Sequence, residues 1–425
     1  MDSTYRGQPP QDHRRRRRLP RGRTRPPIST GNAAFICLFA AQAGLLTLGP
    51  ILPSVAREFG VSTAAAGQLR TLAGLVGGIA AVAVVLVGRR IGLRRLLLAG
   101  NGLLLLGSGA SAAAPSLTAL AAGQVAVGAA TGLLVAGGLA AAAVWAAPER
   151  RAATLAWASL GQPAAWVAGM PLIGMSADLG WRYAWLGVPL AAGVAGLVAV
   201  GSRAPEQPAG APAPRAYPLR WDAKLAGWAV GELLGYAAWA GTLVYAGALL
   251  VESYGAAPGT VGLVLGAAAI AAFPGNFLVR RWLASSSREL LVVLGLGAAA
   301  VTVLFGTVRP GLVISALIFT LLVLIASTRT VAGSTFALYV TPERRLAVMG
   351  MRASTGQLGY LLGAGAGGVA LAAGGYPLLC IALAGMFVLG ATPHLATLLA
   401  ERAGQRASMA ALRQGSEQLW ASGNA

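Results

Sequence analysis

A single acidic residue lies deep within a long apolar stretch of this chain: Glu232, in the run from 225 to 251. Tyr236 and Trp239 follow it at four and seven positions, so in a helix the three side chains share one face. A carboxyl group beside two aromatic rings could bind a polar solute, and it could also take up and release a proton. The alternative is a structural acid that pairs permanently with a basic residue or reaches towards water. The spacing therefore predicts a binding wall that carries a protonatable group.

Three arginines, Arg70, Arg329 and Arg352, also lie within apolar runs. A charged side chain at the centre of a bilayer costs about 2.5 to 3.5 kcal/mol on insertion scales, so each one requires a reason. Arg329 lies about 13 residues, or about 20 Å of helix, from Pro342, which is too far for its guanidinium to reach water. We expect Arg329 to contact a substrate or to pair with Glu232. Arg70 either binds a ligand or reaches the nearer interface, and Arg352 either binds a ligand or belongs to a cytoplasmic gate.

An internal repeat indicates which elements position these residues. The segment PERRAATLAWASLGQP at 148–163 corresponds to PERRLAVMGMRASTGQ at 342–357, at an offset of 194 residues. A period of this length in 425 residues indicates two homologous halves of about 200 residues each. The same offset relates Tyr236 to Gln42, which makes Gln42 a further candidate for the binding wall. Gln357, at the end of the second copy, is another candidate.

Apolar runs account for most of the chain. It is 56% hydrophobic and 11% charged, with a mean hydropathy of +0.67, whereas ordinary soluble domains carry about 25% charged residues. A helix needs about 20 apolar residues to cross the roughly 30 Å of hydrocarbon in a bilayer. The sequence predicts an all-α membrane protein with twelve transmembrane helices in two pseudo-symmetric six-helix bundles. The predicted spans are 33–55, 63–87, 96–113, 117–146, 152–177, 183–201, 225–251, 259–279, 290–308, 311–340, 346–373 and 376–399.

The distribution of basic residues predicts the orientation in the membrane. The net charge is +20, which in a soluble protein would suggest binding to nucleic acid. If both termini are cytoplasmic, however, all but six of the 33 basic residues fall on the cytoplasmic side. The outward loops then carry only Arg57, Arg182 and Arg309. This asymmetry follows the positive-inside rule and predicts a multi-pass protein of the inner (plasma) membrane, with no nucleic-acid partner.

We divide the chain into five parts. A basic cytoplasmic tail at 1–32 precedes the N-terminal bundle at 33–201, and a polar cytoplasmic tail at 401–425 follows the C-terminal bundle at 223–400. The cytoplasmic linker between the bundles, 202–222, contains five prolines and cannot fold on itself. Two cysteines, Cys37 and Cys380, lie in the first and last apolar runs, where we expect them to be packing residues.

Together these features resemble the major facilitator superfamily over about residues 30–400. Between its second and third helices this family carries a pattern rich in glycine and arginine, and the stretch GRRIGLRR is similar to it. The matching positions are Gly88, Arg90, Gly92 and Arg94, whereas Arg89 stands where the family has an acid. Gln124 likewise stands where the family often has an arginine on helix 4. The stretch DLGWRY, at 178–183, looks like the drug and sugar efflux branches, which are proton antiporters.

The resemblance implies a substrate cavity between the two halves that opens alternately to the two sides of the membrane. It implies a monomer in the lipid bilayer that carries a small-molecule substrate, with a proton gradient and no cofactor. The efflux-like stretch favours proton-coupled export of a drug-like, sugar or anionic compound. Two alternatives remain: an uncoupled facilitator or importer of an organic anion, and a membrane sensor that transports nothing.

The residues give little support to an enzyme. A phosphate-binding loop ends in Gly-Lys followed by Ser or Thr, but the sole lysine, Lys224, precedes Leu225. The two histidines, His13 and His394, lie near the termini, and the zinc motif H-E-x-x-H does not occur. An aspartyl protease within the membrane would need two acids in spans, where the sequence offers one. We therefore predict no catalytic residue and no metal site.

Overall fold

The computed structural model describes residues 28–203, 223–274, 287–340 and 345–423. These residues form helices joined by short turns, as the sequence predicts. The basic tail lies mostly outside the described residues, as does nearly all of the linker.

Helices of the first half are α1 (Ile28–Leu46), α2 (Leu48–Glu58), α3 (Thr63–Ile91), α4 (Leu93–Ala112), α5 (Leu117–Val144), α6 (Arg151–Ser159), α7 (Gly161–Ala164), α8 (Met170–Asp178), α9 (Tyr183–Leu186) and α10 (Val188–Arg203). Those of the second half are α11 (Ala223–Tyr254), α12 (Pro258–Ala269), α13 (Ser287–Thr307), α14 (Leu312–Val340) and α15 (Arg345–Gly423).

Several of these helices are long and apolar enough to cross a bilayer. Within the described residues there are eight such segments, and the last of them, Ser354–Arg406, covers most of the predicted span 346–373 and all of 376–399. The predicted all-α membrane class is therefore confirmed. The count of twelve is confirmed only in part, because α4, the region of α6 to α8 and the short α12 are not among the eight.

The predicted span 152–177 is not one helix. It is divided into α6, α7, a π-helical turn at Ala165–Gly169 and α8. Pro171 lies at the start of α8 and has no backbone N–H to donate to the preceding turn, which accounts for the π-helical hydrogen bonding just before it. Gly161 permits close packing at the other break, because a Cβ there would lie 2.3 Å from the backbone oxygen of Phe35 in α1.

The last two predicted spans are two helices that meet at a kink at Gly374 and Gly375, and they are numbered together as α15. Gly375 has a φ of 67°, a conformation that favours glycine, so the sequence determines where the bend falls. The helix continues beyond the predicted end of the membrane span. Arg402 and Glu401 form ion pairs with Glu289 and Arg288 at the start of α13, which hold this extension against the second half.

The most extensive packing between the two halves involves α3 with the first part of α15, α8 with α12, and α2 with α11. Glycines allow the close approach. A Cβ on Gly74 of α3 would lie 2.9 Å from the backbone nitrogen of Leu361 in α15, and a Cβ on Gly262 of α12 would lie 2.7 Å from the backbone oxygen of Met170. Small residues at these crossings let helix backbones pack closely in a lipid environment.

The two ends of the bundle differ in charge. We call the end with the turns 59–62, 113–116, 179–182, 255–257, 308–311 and 374–375 the arginine-poor end, and the opposite end the arginine-rich end. Polar contacts between the halves occur at the arginine-poor end, where Thr63 donates a hydrogen bond to Glu252 and the backbone N–H of Gly259 donates to Asp178. Hydrogen bonds therefore connect the two halves at the arginine-poor end.

Candidate functional site

A narrow pocket lies between the halves where α1 gives way to α2. Thr47 forms the turn between these helices, and its hydroxyl donates a hydrogen bond of 3.0 Å to the backbone oxygen of Ala43. The pocket has a volume of about 20 Å³, which is enough for one water molecule. Its lining combines residues of both halves: Leu45, Leu46, Leu48, Gly49, Arg70, Trp166, Met170, Leu243, Val244 and Tyr360.

Arg70 is the charged residue of this pocket. Its side chain is only 3% exposed, and its guanidinium carbon lies 4.4 Å from the centre of the Tyr360 ring. Arg70 belongs to α3 and Tyr360 to α15, so this cation–π contact joins the two halves. Such a contact contributes up to about 2 kcal/mol when it is desolvated. Nη1 of Arg70 has no hydrogen-bond partner among the described residues.

The predicted face of α11 exists, but its three residues meet different neighbours. The ring of Tyr236 meets Tyr360 edge-on, with centres 6.0 Å apart and an interplanar angle of 81°. Trp239 stacks on Phe319 of α14 at 6.3 Å. Both aromatic residues are partly exposed, whereas Glu232 is 1% exposed. Of these three residues, Tyr236 is therefore the one that contacts a pocket-lining residue, Tyr360.

Glu232 and Arg329 form a buried ion pair. The Oε1 atom of Glu232 lies 3.5 Å from Nη2 of Arg329, and the arginine is 2% exposed. The same Nη2 atom donates a hydrogen bond of 2.7 Å to the backbone oxygen of Gly231. Glycines make room for the pair, because a Cβ on Gly333 would lie 2.1 Å from Glu232 Oε1, and one on Gly235 would lie 2.2 Å from Arg329 Cζ. The pair thus lies inside the second half, between α11 and α14, and does not line the pocket.

His394 is a buried titratable residue near this ion pair that sequence reasoning missed. It is 4% exposed, and its ring meets Phe336 edge-on at 5.8 Å. A Cβ on Gly231 would lie 3.0 Å from Nε2 of His394, so the imidazole packs against the same turn of α11 that binds Arg329. The sequence does single out His394, because a histidine within the last predicted span is as unusual as Glu232 within the seventh predicted span.

The two candidate glutamines, Gln42 and Gln357, lie in different parts of the structure. Gln42 of α1 accepts a hydrogen bond of 3.4 Å from Gln162 of α7, within the first half. Gln357 of α15 is buried one turn before Tyr360, and a Cβ on Gly77 of α3 would lie 3.0 Å from its Oε1. Gln357 therefore belongs to the crossing of α3 and α15 that holds Arg70. Arg352 lies in α15, five residues earlier, and its side chain is outside the described part of the structure.

The glycine- and arginine-rich loop connects α3 to α4. Gly88 is in the last turns of α3, and Gly92 forms the connection with a φ of 87°. Arg94 donates a hydrogen bond of 2.8 Å to the backbone oxygen of Gly201, so it ties the start of α4 to the end of α10. Arg90 is exposed. These contacts give Gly92 and Arg94 a structural role at the arginine-rich end, distant from the pocket.

The acidic residues of the arginine-poor end also escaped prediction as functional residues. Glu252 accepts hydrogen bonds from Thr63 of the first half and from Tyr376 of its own half, the latter at 3.0 Å. Glu58, its counterpart in the repeat, accepts from Trp181 and Arg182 and so connects elements of the first half alone. Of these two glutamates, Glu252 is the one whose hydrogen bonds, among the described residues, reach the other half.

Comparison with known proteins agrees with this architecture. The sequence model of the Major Facilitator Superfamily matches residues 34–245, about half of the chain. No curated protein sequence matches the chain. Among solved structures, the fold is similar to that of the nucleoside transporter NupG, with a TM-score of 0.69, 12% identity, and coverage of 87% of this chain and 99% of that one.

Two further structures are similar at comparable levels. A D-xylose–proton symporter superposes with a TM-score of 0.67 and 16% identity, over 86% of this chain and 97% of the other. A bacterial homologue of the human lysosomal transporter Spinster, in an inward-facing and unoccupied conformation, superposes with a TM-score of 0.65 and 13% identity. The match covers 88% of this chain and 94% of the other. At these identities the likeness concerns the fold. The chain belongs to the major facilitator superfamily, and it is a membrane transporter rather than an enzyme.

Proposed function

We propose that this protein exports a small organic compound from the cell by alternating access, driven by the inward movement of protons. The observation that carries the proposal is the ion pair of Glu232 and Arg329, because it places the one acid deep in a predicted span against a buried cation. The resemblance of the stretch at 178–183 to efflux proteins supports the direction of transport. The substrate would move between the halves, through the pocket that contains Arg70 and Tyr360.

A proton on Glu232 would change the packing of the second half. While the carboxylate is ionised it balances the charge of Arg329, and the two groups hold α11 against α14. Protonation would leave Arg329 without that balance, and breaking one member of a buried pair costs about 3 to 5 kcal/mol. A penalty of this size would favour a different arrangement of the two helices. The proton would thereby shift the population between two conformations, as coupled transport requires.

The orientation in the membrane is part of the proposal. We place both termini in the cytoplasm of a cell whose inner membrane holds the protein as a monomer, so the arginine-poor end faces outwards. The outer side is then closed in this conformation by the contacts of Asp178 with Gly259 and of Glu252 with Thr63.

Thiol labelling in intact cells tests this orientation. Single cysteines at Ala209 and Gly374, in a Cys37→Ser/Cys380→Ser background, should differ in their labelling. A membrane-impermeant thiol reagent should label Gly374→Cys alone, and labelling of both would refute the orientation.

Flux measurements in proteoliposomes test the coupling. A pH gradient should accelerate the movement of a transported compound from a small panel, and Glu232→Gln should abolish that acceleration while downhill flux remains. Glu149→Gln, which alters an exposed glutamate, is the matched control and should leave the gradient dependence unchanged. Gradient-driven flux that persists in Glu232→Gln would remove this residue as the coupling site.

A facilitator or importer of organic anions is the second candidate. The observation that favours it is Arg70, because a buried cation in the pocket attracts an anion whether or not protons move. Flux of an anion in wild-type vesicles without any response to the pH gradient would support this candidate. Any substrate-dependent flux would exclude the membrane sensor.

A further inference from the structure

The pocket between the halves contains a cation but no acid. Among the described residues that line it, Arg70 carries a positive charge and the others are aliphatic or aromatic residues, a methionine and a glycine. Burial of an arginine without a carboxylate nearby is costly, so such a residue is kept for a reason. The guanidinium of Arg70 forms a cation–π contact with the Tyr360 ring, while Nη1 has no hydrogen-bond partner among the described residues. This Nη1 atom can therefore donate to a ligand.

Arg329 provides an internal comparison. It is as deeply buried as Arg70, but its Nη2 atom donates to Gly231 and lies beside the carboxylate of Glu232. Its charge is balanced within the second half, away from the pocket lining. The two buried arginines therefore differ in their surroundings. Arg329 belongs to an ion pair, whereas Arg70 lines the pocket between the halves.

The remaining walls indicate the shape of the ligand. The lining includes Leu45 and Leu46 of the first half, Leu243 and Val244 of α11, and Trp166. These side chains offer dispersion contacts and few hydrogen bonds, so they suit an apolar or aromatic body. The guanidinium is planar and presents paired N–H groups, which match the two oxygens of a carboxylate.

We infer that Arg70 binds the anionic group of the transported compound, and that the substrates are small organic monoanions with an apolar or aromatic body. The inference rests on the proposed transport function. In the present conformation only a water-sized space remains beside Arg70, so the ligand enters when the halves part and the contact of Arg70 with Tyr360 loosens. An anion then takes a position that the tyrosine ring occupies in its absence.

Binding to purified protein in detergent tests the inference without any gradient or flux. The probes are 4-nitrobenzoate and its neutral counterpart 4-nitrobenzamide, both of which quench tryptophan fluorescence. Wild type should bind the anion at least about tenfold more tightly than the amide, and Trp166→Phe should reduce the quenching amplitude. Arg70→Gln should remove the preference by weakening the anion about tenfold and leaving the amide unchanged, whereas Arg70→Lys should retain most of it. Arg57→Gln, which changes an exposed arginine, is the control and should behave as wild type.

Every outcome bears on the inference. Equal binding of the two probes to wild type, no binding of the anion, or a preference that survives in Arg70→Gln would overturn it. If Arg70→Gln does not fold, Val244→Glu places an acid in the same lining, and the preference should then fall below twofold; an unchanged preference would again count against Arg70. The proposed coupling can fail separately, because anion-selective binding that depends on Arg70 would stand even if a pH gradient drove no flux.

Discussion

The Oδ1 atom of Asp178 accepts a hydrogen bond of 2.8 Å from the backbone N–H of Gly259, so the last residue of α8 caps the first turn of α12 in the other half. The first N–H groups of a helix have no partner within it, and a carboxylate is favourable beside them. Glycine leaves room for this contact, because a Cβ on Gly259 would lie 2.1 Å from Asp178 Oδ2 and the carboxylate would have to move. The halves are thereby tied at the arginine-poor end.

We expect Asp178→Asn to loosen this tie. A hydrogen bond to a charged group contributes about 1.5 to 3 kcal/mol and a neutral one about 1 kcal/mol, so the open population at this end should rise roughly fivefold. The measurement is the rate at which an impermeant thiol reagent labels Leu243→Cys in the pocket, in a Cys37→Ser/Cys380→Ser background. Glu58→Gln is the control, because the hydrogen bonds of Glu58 among the described residues are to Trp181 and Arg182 of its own half, and it should leave the rate unchanged. Equal acceleration in both variants would indicate general destabilisation.

The crossing of α8 and α12 should tolerate no larger residue at Gly262. A Cβ there would lie 2.7 Å from the backbone oxygen of Met170 and 3.0 Å from Cα of Gly174, and neither backbone atom can move without separating the halves. We expect Gly262→Ala to cost about 1 to 3 kcal/mol, as overpacking does, and to lower the thermal unfolding midpoint. Gly385→Ala is the control, since a Cβ at Gly385 meets nothing within 4 Å. A midpoint as high in Gly262→Ala as in this control would contradict the proposed close contact.

The sequence predicts the fold because its strongest signals are local. Apolar runs, the offset repeat and the positions of the arginines can all be read along the chain without knowing how its helices pack, and they were enough to predict an all-α membrane protein of two halves. The suggestion that Arg329 pairs with Glu232 has the same basis, since a charge at that depth needs a partner. The structure brings these two residues together.

The parts that were not predicted depend on how helices face one another. The depth of Arg70 and Arg329 along their spans gave no information on which of them faces the other half. The contact of Asp178 with Gly259 joins residues 81 positions apart, and only the packing of α8 on α12 creates it. The break before Pro171 had a local signal in that proline, but the length of the apolar run concealed it.

Removal of one member of the ion pair should be more harmful than removal of both. Arg329→Ala leaves the Glu232 carboxylate buried beside an empty space, and we expect a loss of about 3 to 5 kcal/mol in the free energy of unfolding. The double variant Glu232→Gln/Arg329→Ala should be more stable than Arg329→Ala alone, as measured by thermal unfolding in detergent. Arg402→Ala breaks the exposed pair with Glu289 and should cost less than about 1 kcal/mol. Strictly additive effects of the two buried changes would show that the side chains do not interact.

Tyr236 connects the ion pair to the pocket. It lies one turn after Glu232 on α11, and its ring meets that of Tyr360, which in turn carries the guanidinium of Arg70. If the proton on Glu232 influences the ligand through these contacts, Tyr236→Leu should reduce the acceleration by a pH gradient about two- to thirtyfold, the range of a coupling energy of 0.5 to 2 kcal/mol. Binding of 4-nitrobenzoate should change less than twofold, and Tyr236→Phe, which keeps the ring, should retain most of the acceleration. Trp239→Leu alters the same face of α11 but a residue that stacks on Phe319, so it should leave the gradient dependence intact. Equal losses in Tyr236→Leu and Trp239→Leu would show that the coupling follows the packing of α11 as a whole and not the contact between the two tyrosines.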